Sequence, residues 1–288
     1  MTVLNLSPGV RTSNIYQIVF AITPGPRQFV DLESFLHPLA EELNELAQGI
    51  PGVRVSGSSE LCTLRAHAVQ FTADMSAFDI LLNTTGYNGY SPSRCPEFHG
   101  VYHAASNHHN FPPWDMTTDD ADPLFAIYNC TVPRRSAESF QREADDVEQA
   151  RSTGRSLAFQ KAVSKKSGIK GHSLFFAPSD AMRLAYPRLT HMWRMGPAAA
   201  PYDVMHLLMQ NVAPLLWNIF AGKVPVKGAA NEDYVMSAAT VARIGREIVA
   251  ARRTVPIILA RSLRNIDLQF LSFEATDWMH WLLSTAAI

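Results

Sequence analysis

The sequence predicts an α/β protein with an irregular insertion and a helical C-terminal part. Three observations support this class. The first quarter of the chain alternates β-rich and helical patterns, a long stretch rich in Gly, Pro, Asn and His follows, and apolar helical patterns return near the end. We therefore expect three regions, at residues 1–85, 86–200 and 201–288.

The first quarter reads as strand, helix, strand, acid and helix. Residues 14–23 are rich in Ile, Val, Tyr and Phe and predict a strand, which a Pro-Gly-Pro run then stops. Leu and Phe at helical spacing predict the next element, a helix capped by Asp31 and closed at Gly49. Pro38 is expected to kink this helix or to mark its first turn. The helix would cover one face of a sheet.

Residues 61–77 form a β-rich run that ends on one acidic residue, Asp74, before a turn into a helix. A carboxylate at the point where a buried strand leaves its sheet is in the usual place for a catalytic side chain. Asp74 is therefore the first candidate site residue. The alternative is structural, since most Asp residues in this position form turns or cap helices.

The middle of the chain loses its periodicity between residues 86 and 122, and a helix is predicted at residues 136–151. A basic run without any acid follows, at residues 151–172. Its six cations are Arg151, Arg155, Lys161, Lys165, Lys166 and Lys170. Six positive charges on one flexible segment would neutralise several phosphates, which makes this run a candidate DNA contact. The alternative is a solvated surface loop.

The C-terminal region begins with an apolar pattern at residues 201–222, which predicts a helix buried nearly all round. Asp203, His206 and Gln210 share one face of this helix. A buried polar edge of this kind is either a structural hydrogen-bond network or part of a site. Two further helices are predicted, at residues 231–253 and 276–285.

Composition limits the classes of function. The chain has 288 residues, 47% of them hydrophobic, and its 25 basic residues nearly balance 26 acidic ones. No global field would steer it onto nucleic acid or an anionic membrane, so such binding must come from local patches. Three widely spaced Cys, with no signal peptide and no membrane-spanning pattern, predict a soluble intracellular protein.

One His-rich stretch has spacing that would suit a metal. Cys95, His99 and His103 follow a Cys-x3-His-x3-His pattern, and His108 and His109 lie close by. The segment is rich in Pro and Gly, however, and lacks the further Cys of a strong zinc pattern, so zinc is the less favoured cofactor. Gly-rich phosphate loops, the Gly-x-Ser-x-Gly nucleophile motif and the His-Glu-x-x-His zinc motif are all absent from the sequence.

Six segments resemble, in the same order, the CACTA-type transposases of fungal and plant genomes. They are NLSPGVR at residues 5–11, ITPGPRQ at 22–28, SFLHPLAEELNEL at 34–46, LRAHAVQFTADMSA at 64–77, TTGYNGYSPSR at 84–94 and YDVMHLLMQNVAPLLW at 202–217. The resemblance implies a ribonuclease-H-like core, here incomplete, whose acidic triad holds Mg²⁺ or Mn²⁺.

The resemblance also implies roles for particular residues. Asp74 matches the second catalytic acid, and Asp277, with Glu274 as the alternative, matches the last one; both would bind the metal ions. Asp203 and His206 match an Asp-x-x-His element that shapes the site or binds metal, although the Cys-x-x-Cys pair that normally accompanies it is absent. The first acid is expected upstream of the sequence given, so strand cutting is expected to be lost.

The functional expectation is therefore a transposase-derived nuclear protein that acts on DNA, with transposon ends as partner and a homo-oligomer as a further expectation. A non-catalytic DNA-binding or protein-interaction remnant of a transposon is the alternative. A zinc-binding module around Cys95 is the third hypothesis.

Overall fold

The computed structural model describes residues 1–22, 31–87, 89–92, 94, 99–103, 108–110, 134–223, 233–254 and 263–284. The described α-helices are Pro8–Arg11, Leu32–Gln48, Met75–Leu81, Ala137–Ser152, Leu157–Ser167, Asp180–Ala185, Thr190–Met195, Ala213–Phe220, Ala238–Ala251, Ile266–Gln269 and Ala275–Ser284. A π-helical segment spans Met205–Val212, and short 3-10 helices span Asn14–Tyr16, Gly196–Ala199 and Phe270–Ser272. The described strands are Ile50–Arg54, Leu61–Leu64, Val101–His103 and His108–Asn110.

The chain divides into two compact units. The first unit comprises Met1–Phe71 and Ser76–Pro201, and the second comprises Thr72–Met75 and Tyr202–Ile288. Residues 1–85 and 86–200, which the sequence predicts as separate regions, therefore fall in the first unit apart from Thr72–Met75.

The helix Leu32–Gln48 confirms the sequence prediction in its position and both of its ends. The Asp31 carboxylate accepts a hydrogen bond from the Ser34 amide at 3.2 Å, and Gly49 ends the helix at a φ of +108°. Leu36, Leu39, Ala40 and Leu43 form its buried stripe. The periodicity and the cap agree because both are local properties of the chain. Pro38 lies inside the helix.

Two predictions of β-structure in the first quarter are wrong. The described part of residues 14–23 forms the 3-10 helix Asn14–Tyr16 followed by irregular chain. The strand expected up to Asp74 ends at Leu64, after pairing with Ile50–Arg54 in an antiparallel hairpin. Beyond it the backbone bonds elsewhere, because the Ala66 amide donates to Leu46 and the Phe71 amide donates to Ala199. Asp74 therefore does not follow a strand.

The described strands form two antiparallel sheets of two strands each. Ile50–Arg54 pairs with Leu61–Leu64, and Val101–His103 pairs with His108–Asn110. The second hairpin lies where the sequence predicted no regular element. The described residues do not show a ribonuclease-H-like core, which stays a prediction. The described secondary structure is nevertheless mixed, with helices predominating over these short strands.

The second unit has a core built on tryptophans. Trp217 and Trp278 are buried, and Trp281 contacts both rings edge to face, at centroid distances of 6.0 and 5.8 Å. Its further buried residues are Met209, Ala213, Val241, Ile248, Leu263 and Ile266. Edge-to-face aromatic contacts stabilise a fold beyond the burial of apolar surface. Together with the other buried residues, they give the second unit a hydrophobic core of its own.

The apolar segment at residues 201–222 is helical, as predicted, but it is not buried nearly all round. Only Met209, Ala213 and Trp217, spaced by four residues, are buried, whereas Val204 and Leu215 are 59% and 53% exposed. The segment is also divided, because a π-helix ends at Val212 and an α-helix begins at Ala213. The division adjoins Pro214, whose nitrogen cannot donate to a preceding carbonyl.

The helices predicted after residues 136, 231 and 276 are confirmed as Ala137–Ser152, Ala238–Ala251 and Ala275–Ser284. Within the residues described, no helix has both the length and the apolar character needed to cross a membrane.

Candidate functional site

Residues 157–167 of the basic run fold into a helix, so the flexibility expected there is wrong. We call Leu157–Ser167 the basic helix. The Ser156 hydroxyl oxygen accepts a hydrogen bond from the Phe159 amide at 3.3 Å at its start, and Gly168 ends it at a φ of +75°. A Ser cap followed by a Gly stop is the usual signal for a short helix. Sequence reasoning missed this pair of signals.

One face of the basic helix lines an open cavity of about 480 Å³ in the first unit, which we call the basic cavity. Its lining residues are Thr85, Gly89, Tyr90, His109, Arg151, Leu157, Gln160, Lys161, Ser164 and Lys165. Leu157, Lys161 and Lys165 repeat every four residues and therefore lie on the same side of the helix. The tertiary structure thus selects three of the six predicted cations, Arg151, Lys161 and Lys165.

The basic cavity is electropositive because its lining contains three cations and no carboxylate. The Arg151 guanidinium is partly neutralised, since its Nη1 lies 2.6 Å from the Glu148 carboxylate. Lys161 and Lys165 are exposed, and neither forms an ion pair within the described residues. These two ammonium groups therefore keep their charge available for an anionic ligand.

The other wall of the basic cavity comes from the loop of residues 84–94, of which the structure describes most. The Thr85 amide donates to the Gly168 carbonyl at 2.8 Å, and the Lys170 amide donates to the Asn83 carbonyl at 2.7 Å. A Cβ added at Gly168 would stand 1.9 Å from the Ser91 carbonyl oxygen. The end of the basic helix and this loop therefore pack too closely for any residue other than Gly.

Asp79 holds the start of the loop, a role that sequence reasoning did not assign. Its carboxylate accepts hydrogen bonds from the Thr84 hydroxyl at 3.0 Å and from the Tyr87 amide at 3.3 Å. Burial raises the pKa of Asp79 above its ordinary value, and these two hydrogen bonds oppose the shift. An acid five residues before a Thr-Thr-Gly turn is the signal that would have identified it.

Two buried arginines attach the loop of residues 84–94 to other segments of the first unit. The Arg94 guanidinium donates to the Ala200 carbonyl at 2.7 Å and to the Pro201 carbonyl at 2.9 Å, and it lies 4.4 Å from the centre of the Phe78 ring. Arg135 donates to the Ser91 hydroxyl at 3.1 Å. These cations are used inside the fold, so they are not available to a ligand.

The loop carries an aromatic ring to the edge of the cavity. Tyr90 stacks on His99 at 4.7 Å with an interplanar angle of 8°, and His109 meets it edge to face at 6.1 Å. The Lys165 ammonium lies 5.7 Å from the centre of the Tyr90 ring. Aromatic and cationic groups therefore occur together at this site.

The other three cations of the predicted run lie outside the cavity lining. Arg155 and Lys166 are exposed, and the Arg155 guanidinium lies 5.5 Å from the Phe159 ring. Lys170 is exposed and is bound through its backbone to Asn83. Lys166 follows Lys165 by 100° around the helix and points away from the cavity face.

The predicted catalytic acids occupy helix starts. Asp74 is exposed and immediately precedes the helix Met75–Leu81. The Asp277 side chain is only 2% exposed, and its Oδ2 accepts a hydrogen bond from the Glu274 amide at 2.9 Å. The same oxygen lies 3.7 Å from the Arg264 guanidinium. Both acids belong to the second unit, and Asp277 already has partners in it.

Asp203 and His206 form a pair at the start of the π-helical segment. His206 Nδ1 lies 2.5 Å from Asp203 Oδ2, and the other carboxylate oxygen accepts from the Met205 amide at 2.9 Å. The hydrogen bond with His206 lowers the pKa of Asp203 below its ordinary value. This arrangement is a local hydrogen-bond network at a helix start, and the role of the pair in a site stays a prediction.

The implied divalent ions find no matching set of ligands. In the part of the chain that the structure describes, no group of three or more His, Cys, Asp or Glu side chains is arranged to hold a metal. Two ions of this kind require several carboxylate oxygens, whereas one oxygen of Asp277 already faces an amide and a guanidinium. No step through a metal is therefore derived. Cys95, the centre of the zinc hypothesis, lies outside the described residues.

No family model, curated protein or solved structure matches this chain. Its likeness to CACTA-type transposases therefore stays a prediction from six short segments. What the structure itself defines is a helix-rich protein of mixed helix and sheet with an open, positively charged cavity in its first unit.

Proposed function

We propose that this protein binds DNA through the basic cavity, as a transposase-derived protein of the nucleus that does not need to cut its partner. One observation carries the proposal: Lys161 and Lys165 project from a single helix face into a cavity whose lining contains no carboxylate. The basic run identified in the sequence supplies the charges, and the basic helix places two of them, Lys161 and Lys165, at the same cavity. Transposon ends are the partner implied by the sequence resemblance.

The physical basis is the phosphate backbone, which carries most of the affinity in protein–DNA binding. Each Lys that contacts a phosphate releases condensed counterions, so binding weakens as salt rises. The chain as a whole has a formal charge of −1, which gives it no general attraction to DNA. Binding therefore depends on the local cluster rather than on the net charge.

The test is fluorescence anisotropy with a labelled duplex and a double variant, Lys161→Ala with Lys165→Ala. We expect the double variant to bind about tenfold or more weakly at low salt, because each lost contact is a charge-assisted hydrogen bond. Lys166→Ala is the matched control, since it removes the same charge from a position about 100° around the basic helix from Lys165 and outside the cavity lining. Its loss of affinity is expected to be much smaller.

Salt titration gives a second measure of the same contacts. The slope of log affinity against log salt should become shallower by roughly 0.9 for each Lys that contacts a phosphate of duplex DNA. Equal losses for the Lys166→Ala and the Lys161→Ala proteins would contradict the proposal, because such a result follows from diffuse charge and does not require the cavity. Absence of salt-sensitive binding in the unmodified protein would also contradict it.

A further inference from the structure

We infer that the basic cavity takes an unpaired nucleotide, with its base inside the cavity and its phosphate at the lysines, so that the protein prefers single-stranded DNA over a duplex. This inference rests on the proposed function, because it specifies which form of DNA the same site binds.

The first argument is the character of the walls. The surface that lines the cavity is mostly apolar, although three of its residues are cations. Leu157 contributes to it and is 73% exposed, and the Tyr90 and His109 rings lie at the loop side. A site for the backbone alone needs positive and polar groups, whereas apolar and aromatic surface suits the flat face of a base.

The second argument is size. A volume of about 480 Å³ lies within the range of small-molecule sites and is large enough for one nucleotide. A base inside a duplex is stacked and paired, so it would have to leave the double helix to enter the cavity, and breaking its stacking and pairing costs free energy. An unpaired strand does not bear this cost and is therefore the preferred partner.

The third argument is the position of polar groups between the walls. Gln160 and Ser164 lie one turn apart on the cavity face, next to Lys161 and Lys165. The Gln160 amide nitrogen donates to the Arg155 carbonyl at 2.7 Å and the Ser164 hydroxyl donates to the Ile169 carbonyl at 2.6 Å, so the side-chain oxygens of both residues remain as acceptors. These acceptors suit the N–H groups at the edge of a base or a sugar hydroxyl.

The experiment compares three labelled ligands of equal length: an oligothymidylate, the matching strand without bases, and a duplex. We expect the oligothymidylate to bind at least about fivefold more tightly than the abasic strand, the range expected for stacking of one base. Thymidine monophosphate is added as a competitor. Competition by thymidine monophosphate as strong as that by unlabelled oligothymidylate would identify a free nucleotide as the ligand and overturn the preference for a strand.

Variants locate the effect in the cavity. Leu157→Ala and Tyr90→Leu should each remove most of the difference between the thymidylate and the abasic strand, and Tyr90→Phe should preserve it because the ring remains. Leu184→Ala is the matched control, since Leu184 is 85% exposed on another helix of the same unit. Circular dichroism of each variant verifies that it is folded.

The outcomes separate this inference from the proposed function. If the thymidylate and abasic strands bind equally, and both lose affinity in the Lys161→Ala, Lys165→Ala protein, DNA binding stands and the base-in-cavity inference is overturned. Duplex binding that equals or exceeds single-strand binding overturns it in the same way. If none of the ligands binds, the proposed function and this inference both fail.

Discussion

The basic cavity and the acidic positions of the second unit contain the two sets of charged residues that the sequence singled out, and the structure uses them differently. Around the cavity, Lys161 and Lys165 are exposed and face shared open space. In the second unit, Asp277 is buried against an amide and a guanidinium, and Asp203 caps a helix start beside His206. Charges that form no ion pair are available for a ligand, whereas capped and paired charges stabilise the fold.

An acidic residue can serve either in chemistry or as a helix cap, and a residue pattern does not distinguish the two roles. A carboxylate used for chemistry and a carboxylate used as a helix cap look alike in a single sequence, because Asp is favoured in both roles. Burial and hydrogen-bond partners distinguish them. Substitutions at the base of the basic cavity and at the acids of the second unit test whether these acids stabilise the fold and whether close packing holds the cavity in place.

The largest effect is expected from Gly168→Ala, which disturbs the cavity at its base. The new Cβ would meet the Ser91 carbonyl oxygen at 1.9 Å, in a backbone conformation with φ of +75°. We expect a loss of about 3 kcal/mol or more in the free energy of unfolding. Urea denaturation followed by circular dichroism measures it.

Gly154→Ala is the control for that experiment. Gly154 also has a positive φ, of +64°, but a Cβ there would find nothing within 4 Å. Its cost should be only about 1 kcal/mol, from backbone strain alone. Equal losses at the two positions would mean that the contact with Ser91 does not hold the loop.

The second prediction concerns Asp277. Asp277→Ala removes the acceptor for the Glu274 amide and the partner of Arg264, so we expect the second unit to lose about 2 kcal/mol of stability. Thermal unfolding monitored by tryptophan fluorescence is suitable, because Trp278 adjoins the mutated position. Glu274→Ala, at an exposed neighbour, should cost less than about 0.5 kcal/mol. An Asp277→Ala protein of full stability would return this residue to the list of catalytic candidates.

The third prediction uses the pKa of Asp79, which burial raises. The folded protein then holds the proton more tightly than the unfolded chain, so the stability that Asp79 contributes is fully present below its ordinary pKa of 3.8. It is lost as the pH rises through the folded-state pKa. Relative to Asp79→Asn, the unmodified protein should therefore become less stable with rising pH in that window. Urea midpoints measured across the window would contradict this if the difference were constant.

The smallest effect is expected at Asp203, whose pKa is lowered in the folded state. The sign is opposite: its contribution is present above the ordinary pKa of 3.8 and disappears as the pH falls through the folded-state value. Asp203→Asn should cost about 0.5 kcal/mol at neutral pH, because it removes the negative charge beside the helix start and His206, and nothing in acid. A cost that persists in acid would show that the Asp203 charge is not what stabilises the helix start.

Much of the helical structure was predictable from local signals. The helix after Asp31, with its Leu stripe and its Gly49 stop, follows from the sequence because caps and periodicity act within a few residues. The same rules would have identified the basic helix from Ser156 and Gly168. The expected strands failed for another reason: β-pairing depends on a distant partner, and the chain beyond Leu64 bonds instead to Leu46 and Ala199.

The candidate site also has one part that the sequence predicts and another that depends on tertiary structure. The sequence by itself determined that six cations without an acid occur between residues 151 and 172, since charge is a property of the side chains alone. Only the tertiary structure decided that Lys161 and Lys165 share a cavity with Tyr90, a residue more than seventy positions away that Asp79 and Gly168 help to hold in place. The physical reason is that a cavity requires surfaces from separate segments, and close packing between those segments sets its position.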